Sequence, residues 1–201
     1  MRPLLALLVL APLPALADVT VVAPVFDRIA AFALPEGFAS AFEDAQPGFY
    51  IHESVPAGET VDAWSQMITL TAQPAPGLSA EAAAQSIGAG YGDACAVPLT
   101  AIAIPPEGAS VPGAEGPIFL GYVGCGRVAA TGQSEEMAFV VAVAADTVYF
   151  LQWAARGPAQ DQAIEPDGDL WTPRLAALMG GLRLCVPVAD EAAPYPSCTG
   201  G

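Results

Sequence analysis

Four cysteines constrain this 201-residue chain more than any other feature. Cys95, Cys125, Cys185 and Cys198 lie outside any C-x-x-C spacing, behind an N-terminus that reads as an export signal. In an oxidising compartment such cysteines close structural bridges rather than bind metal or exchange electrons. Residues 1–17, MRPLLALLVLAPLPALA, carry one positive charge at Arg2, a Leu-rich run from Leu4 to Leu10, and Ala15-Leu16-Ala17 ahead of Asp18. That is the pattern of a cleavable signal peptide. The run is shorter than the ~20 residues that span a bilayer, and Pro12 and Pro14 interrupt it. The sequence therefore predicts a periplasmic or secreted protein with a leader over 1–17 and a single disulfide-stabilised domain over 18–201.

Charge removes several partners and mechanisms. The formal net charge of −15 repels a nucleic-acid backbone and an anionic membrane surface alike. All six basic residues are arginine. Without lysine there is no P-loop phosphate lysine, no Schiff-base chemistry and no Ser-Lys hydrolase.

Along the chain, Asp18 to Val25 reads as a mobile or edge lead, and Arg28 to Leu34 as the first core strand, ended by a turn at Leu34-Pro35-Glu36-Gly37-Phe38. Gly48 to Val55 alternates Phe49, Ile51, Glu53 and Val55 against Tyr50, His52 and Ser54, the period of a half-buried strand. Pro56 to Gly58 turns the chain. Trp64 then supplies a large anchor before Ser65 to Ala72, the expected antiparallel partner. Ser79 is placed to cap a helix with Glu81 in its first turn and Ala83, Ile87, Gly90 and Tyr91 on one face. Strands are expected over 97–104 and 117–130, separated by a Pro/Gly loop. Gln133 to Glu136 reads as a turn, and Met137 to Ala144 with Thr147 to Ala155 as a β-hairpin around Ala145-Asp146. Asp169 is the expected cap of a last helix with Pro173 in its opening turn and Trp171, Leu175, Leu178 and Leu182 at helical spacing. The expectation is an α+β fold: an antiparallel sheet of about six strands with two main helices packed on it.

No catalytic or cofactor motif is complete. His52-Glu53 lacks the second histidine of the zinc-protease pattern H-E-x-x-H, and His52 with Ser54 reads as a polar pair at a rim. Gly88-Ala89-Gly90-Tyr91-Gly92 and Gly124-Cys125-Gly126 lack the strand-to-helix context of a phosphate loop. Glu165-Pro166-Asp167-Gly168-Asp169 could gather Ca²⁺, but a turn and a helix cap account for it. Glu43-Asp44, Glu135-Glu136 and Asp190-Glu191 read as solvated acid pairs. Trp64, Trp153 and Trp171 are structural anchors, core in preference to a ligand groove. The sequence thus assigns no catalytic residue, no cofactor and no metal ligand.

The order of elements from about Phe38 to Leu184, together with Gly58-Glu59-Thr60-x-x-x-Trp64 leading into Met67-Ile68-Thr69-Leu70, resembles the PsbP-like α/β/α sandwich. That resemblance implies a binding or assembly protein rather than an enzyme. It supplies no functional residue. The resulting expectation is an exported, non-catalytic binding or accessory module with a protein or envelope partner. The alternative is a small periplasmic hydrolase using His52 or carboxylates. Two converging titratable groups in a pocket would favour the alternative, and an apolar groove or open sheet edge the first.

Four cysteines allow three connectivities, and spacing selects none of them. The placement of the elements favours Cys95–Cys125, fastening the end of the first helix to a strand, and Cys185–Cys198, closing a proline-stiffened tail loop.

Overall fold

The computed structural model describes residues 19–199. The expected leader, residues 1–17, lies outside them. Two antiparallel sheets form the frame. The smaller has the order β1-β2-β10, from Val19–Val25, Arg28–Leu34 and Arg183–Cys185. The larger has seven strands. In spatial order they are β3 (Phe38–Gln46), β4 (Phe49–Pro56), β5 (Gln66–Pro74), β9 (Thr147–Gly157), β8 (Ser134–Ala144), β7 (Phe119–Cys125) and β6 (Leu99–Ile104). Helix α1 (Ala80–Ala94) packs on one face, against β7 and β8. On the other face lie α2 (Gly168–Gly181) and the small sheet. A short α3 (Pro196–Thr199) sits against β2 and β10.

The expected α+β architecture is present, with differences that have physical causes. Arg28–Leu34 is a core strand, but it is the centre of a second sheet rather than part of the main one. Its backbone pairs with β1 on one side and β10 on the other, which closes the small sheet around Leu34, Phe32 and Ala30. β1 is an edge strand paired along its whole length, and so it tolerates Pro24. β3 was not expected: FASAFEDAQ has no β-branched residue, and its register with β4 holds it. Ser134 to Glu136 begin β8 instead of turning, because each pairs with β9 from Gly157 to Ala155.

The main sheet carries a separate core on each face, as alternation of side chains along its strands requires. Tyr50, Ile68, Leu70, Val140, Tyr149, Leu151 and Trp153 point towards α2 and the small sheet. Met137, Phe139, Val141, Phe150 and Ala154 point towards Ala80, Ala83 and Ala84 of α1. The β8–β9 hairpin turns at Ala145 and Asp146, both at positive φ, the twist that a two-residue connection needs.

Ser79 caps α1 as expected, its Oγ accepting from the Ala82 N–H at 3.1 Å. The cap of α2 is Asp167 and not Asp169: its Oδ1 accepts from the Asp169 N–H at 3.0 Å. Asp169 therefore stands in the first turn, where the helix dipole favours a carboxylate, and Pro173 falls in the second turn. Both disulfides have the expected pairing, Cys95–Cys125 and Cys185–Cys198.

Candidate functional site

The face of the main sheet under α2 carries a row of aromatic and charged side chains. Phe38 meets Trp153 edge-on at 5.6 Å, and Tyr122 meets Trp171 at 5.7 Å. Arg174 lies between these pairs, its guanidinium carbon 5.0 Å from the Trp153 ring and 4.7 Å from that of Trp171. Trp171 and Arg174 are three residues apart on α2, so they share one side of the helix. Gln66 ties the row to β5: its Oε1 accepts from Trp153 Nε1 at 3.0 Å and from Arg174 Nη2 at 2.8 Å. Glu136 closes the far end, accepting from the Tyr122 hydroxyl at 2.5 Å and from Trp171 Nε1 at 3.3 Å.

Arg174 borders a groove of about 460 Å³ between the end of β2 and α2. Its floor is Ile68 and Trp153, and its walls are Leu34 and Pro35 on one side and Ala177 and Leu178 on the other. One end is narrow because Gly181 brings α2 against β2; a Cβ there would stand 2.9 Å from the Ala33 nitrogen. Burial makes the guanidinium harder to keep charged, and nearby Glu136 opposes that effect. Arg174 Nη1 is buried and has no hydrogen-bond partner among the described residues. The groove therefore combines an apolar lining with one cation whose donors are only partly used.

The α1 face holds a matching cluster. Glu135 accepts from the Tyr91 hydroxyl at 3.1 Å and from Arg156 Nε at 3.0 Å. Arg156 stacks on Trp64 at 3.7 Å. Burial, with Glu135 beside it, pushes the Tyr91 phenol far up. A recess of about 450 Å³ opens next to this stack, with Glu59 and Asp62 at its rim. The Ser65 N–H and hydroxyl hold the Glu59 carboxyl below its usual value, which suits a loop fastener and not a general acid.

His52 and Ser54 are not a rim pair. They are 3 % and 0 % exposed, on the buried face of β4 that looks towards the small sheet. The face of β4 with more polar groups is the buried one, because the small sheet covers it and leaves Phe49 in the open. His52 Nε2 is 3.0 Å from Ser40 Oγ, and the ring meets Phe32 edge-on at 5.7 Å. His52 Nδ1 and Ser54 Oγ have no partner among the described residues. Burial lowers the imidazole pKa, and Glu43 opposes the shift. No substrate reaches this pair while the two sheets stay together.

Several expected residues have roles other than those read from sequence. Trp153 and Trp171 are core residues as anticipated, but they also frame Arg174. Trp64 is half-buried at the margin of the α1-side core and covers Arg156. Glu135 and Glu136 are not a solvated pair; both accept from tyrosine and from a second donor. Glu43 accepts from the Tyr50 hydroxyl at 2.9 Å. Asp167 and Asp169 are spent on the start of α2. Arg174 and Gln66 were missed. The available signal was an arginine three residues after a helical tryptophan.

No protein-family model matches the sequence. No curated protein matches it at a significant level. Solved structures of similar shape include a mutant of the protein Mog1, 13 % identical, with a TM-score of 0.43 over 75 % of this chain and 84 % of that one. Another is the Ran-binding protein Mog1p of Saccharomyces cerevisiae, 12 % identical, with a TM-score of 0.43 over 70 % of this chain and 79 % of that one. Likenesses this distant carry no argument about what the present chain binds.

Proposed function

We propose that this chain is an exported, non-catalytic binding module built as a PsbP-like sandwich, and that it works through the groove beside α2. The observation that carries this reading is the composition of the groove. It is an apolar recess with a single cation, Arg174, held in an aromatic frame. Sites that bind have this form, a concave apolar surface with few fixed polar groups. Acid–base catalysis asks instead for two converging titratable groups of separated pKa. The histidine of the alternative reading is buried between two sheets and does not line the groove.

Export is supported by the leader pattern and by two disulfides, bridges that persist in oxidising compartments. Intact mass of the protein recovered from the periplasm should correspond to a chain starting at Asp18. A product retaining Met1 in the cytoplasm would overturn the localisation.

The groove is tested with a photo-crosslinking amino acid at Ala177, which is exposed on the groove wall, in protein exported by living cells. A control carries the same group at Ala103, exposed on edge strand β6. A discrete adduct at Ala177 and not at Ala103, read as a gel shift or an intact-mass increment, is expected. Equal labelling at both positions, or none at Ala177, would refute the groove as the site of action.

A further inference from the structure

The recess beside the Arg156–Trp64 stack lies on the α1 face of the sheet, and its chemistry differs from that of the groove beside α2. It has a volume of about 450 Å³, within the range of small-ligand sites, and its lining includes Glu59, Asp62, Trp64, Gln133 and Arg156. Arg156 spends Nε on Glu135. Its Nη1 and Nη2 have no hydrogen-bond partner among the described residues and, unlike Arg174 Nη1, they keep accessible surface. Asp62 and Gln133 are exposed, and neither side chain forms a hydrogen bond among the described residues. The walls are fixed before anything binds. Thr60 and Ala63 exchange backbone hydrogen bonds of 3.2 and 3.0 Å, which close the turn that carries Asp62. Ser65 donates twice to Glu59, and the Arg156 N–H donates to the Ser65 carbonyl at 2.9 Å, tying the Trp64 segment to β9. A ligand entering here meets groups that are already oriented.

Charge narrows the class of ligand. Glu135 already offsets the Arg156 guanidinium, Glu59 and Asp62 add two carboxylates, and the whole chain carries −15, so an anion is repelled. A cation meets the guanidinium in the same space. A purely apolar ligand leaves the Arg156 donors and the Asp62 acceptors desolvated and unpaired. The recess instead asks for a neutral group that donates and accepts at neighbouring points, and a hydroxyl does both. We propose that it binds a neutral sugar, a mono- or disaccharide, whose hydroxyls donate to Asp62 and accept from Arg156, and whose C–H groups lie on the part of the Trp64 ring that lines the recess. The Gln133 amide serves either kind of hydroxyl contact. The amphipathic indole supplies the apolar surface that a sugar ring covers with its C–H groups.

Purified, disulfide-intact protein is titrated with five neutral sugars: glucose, galactose, N-acetylglucosamine, maltose and cellobiose. Glucuronate and glucosamine are the anionic and cationic counterparts. The signal is tryptophan fluorescence, because Trp64 lines the recess. A saturable change with at least one neutral sugar is expected, half-complete below about 1 mM. Glucuronate and glucosamine should bind at least about tenfold more weakly than that sugar. Asp62→Ala removes an exposed side chain that fastens nothing in the fold, and should weaken the sugar by about tenfold or more. Asp93→Ala, which removes an exposed acid of α1 outside the recess, should leave the affinity unchanged. Four results would each overturn the proposal: no saturable signal from any neutral sugar, a charged counterpart that binds as tightly, an Asp62→Ala affinity equal to wild type, or equal losses in Asp62→Ala and Asp93→Ala. Asp62 does not line the groove beside α2, so none of these results bears on the cross-link at Ala177.

Discussion

Glu135 and Glu136 are neighbours in the chain and secure opposite faces of the seven-stranded sheet. Glu135 ties Arg156 to Tyr91 of α1, and Glu136 ties Tyr122 to Trp171 of α2. The alternation of a β-strand sends consecutive side chains to opposite sides, so two adjacent carboxylates can serve two separate layers. Among the described residues, Glu135 alone of the two is in an ion pair, with Arg156, and both of those side chains are mostly shielded.

Replacing these two acids should therefore have unequal effects. Glu135→Gln leaves Arg156 without its counter-charge in a shielded site, at a cost of roughly 1–3 kcal/mol. Glu136→Gln retains an oxygen that accepts from Tyr122 and Trp171 but removes the charge that eases the burial of Arg174, without breaking a direct ion pair, and should cost less, about 1 kcal/mol. Urea unfolding of the two variants decides the order, and a larger loss for Glu136→Gln would contradict this account of the network.

His52 should make the protein sensitive to acid. Burial holds its imidazole below the usual value, so the unfolded chain takes up a proton that the folded chain refuses. The stability from this group is complete above the ordinary histidine pKa of about 6.5 and is lost as pH falls below it. His52→Gln should flatten the decline in unfolding free energy between about pH 7 and pH 5 relative to wild type. Parallel pH profiles for the two proteins would show that the histidine is not the titrating group.

Gly113 seats the small sheet on the loop that precedes β7. It has φ +84°, and a Cβ there would lie 1.7 Å from the Leu184 carbonyl oxygen, next to the Leu184 N–H bond to the Pro112 oxygen. Gly113→Ala should destabilise by more than about 2 kcal/mol and expose the segment from β10 onwards to proteolysis. Gly48→Ala, at a positive φ but with open space around it, serves as the control and should cost less.

The two bridges close loops of 30 and 13 residues. Chain entropy puts removal of either one at about 3 kcal/mol, so their consequences should differ in location more than in size. Losing Cys185–Cys198 should loosen α3 and β10 against β2, where Cys198 is buried beside Ile29 and Ala31. Losing Cys95–Cys125 should free the end of α1 from β7. Hydrogen exchange of the two double Cys→Ala variants distinguishes the regions. A uniform increase across the chain in both would count against this division.

Much of the fold was legible from local chemistry. Ser79 and Glu81 start α1, the hairpin around Ala145-Asp146 follows from alternation on both sides of a short turn, and the disulfide pairing follows from which elements neighbour each cysteine. These features depend on residues close in sequence, where propensity, capping and turn geometry act. What was not legible depends on partners outside the segment itself. FASAFEDAQ is held as β3 by its ladder with β4, the next strand across the Pro47-Gly48 turn, and RIAAFAL stands in a second sheet, paired with β1 and with β10 from the other end of the chain. His52 is enclosed by the small sheet, so its burial could not be read from the pattern of its own strand. The Arg174 groove needs β2, β5, β9 and α2 together, four elements spread over most of the chain. Side-chain types and their period set the local elements, whereas the pairing of distant strands chose which polar groups were buried and where an apolar surface remained open.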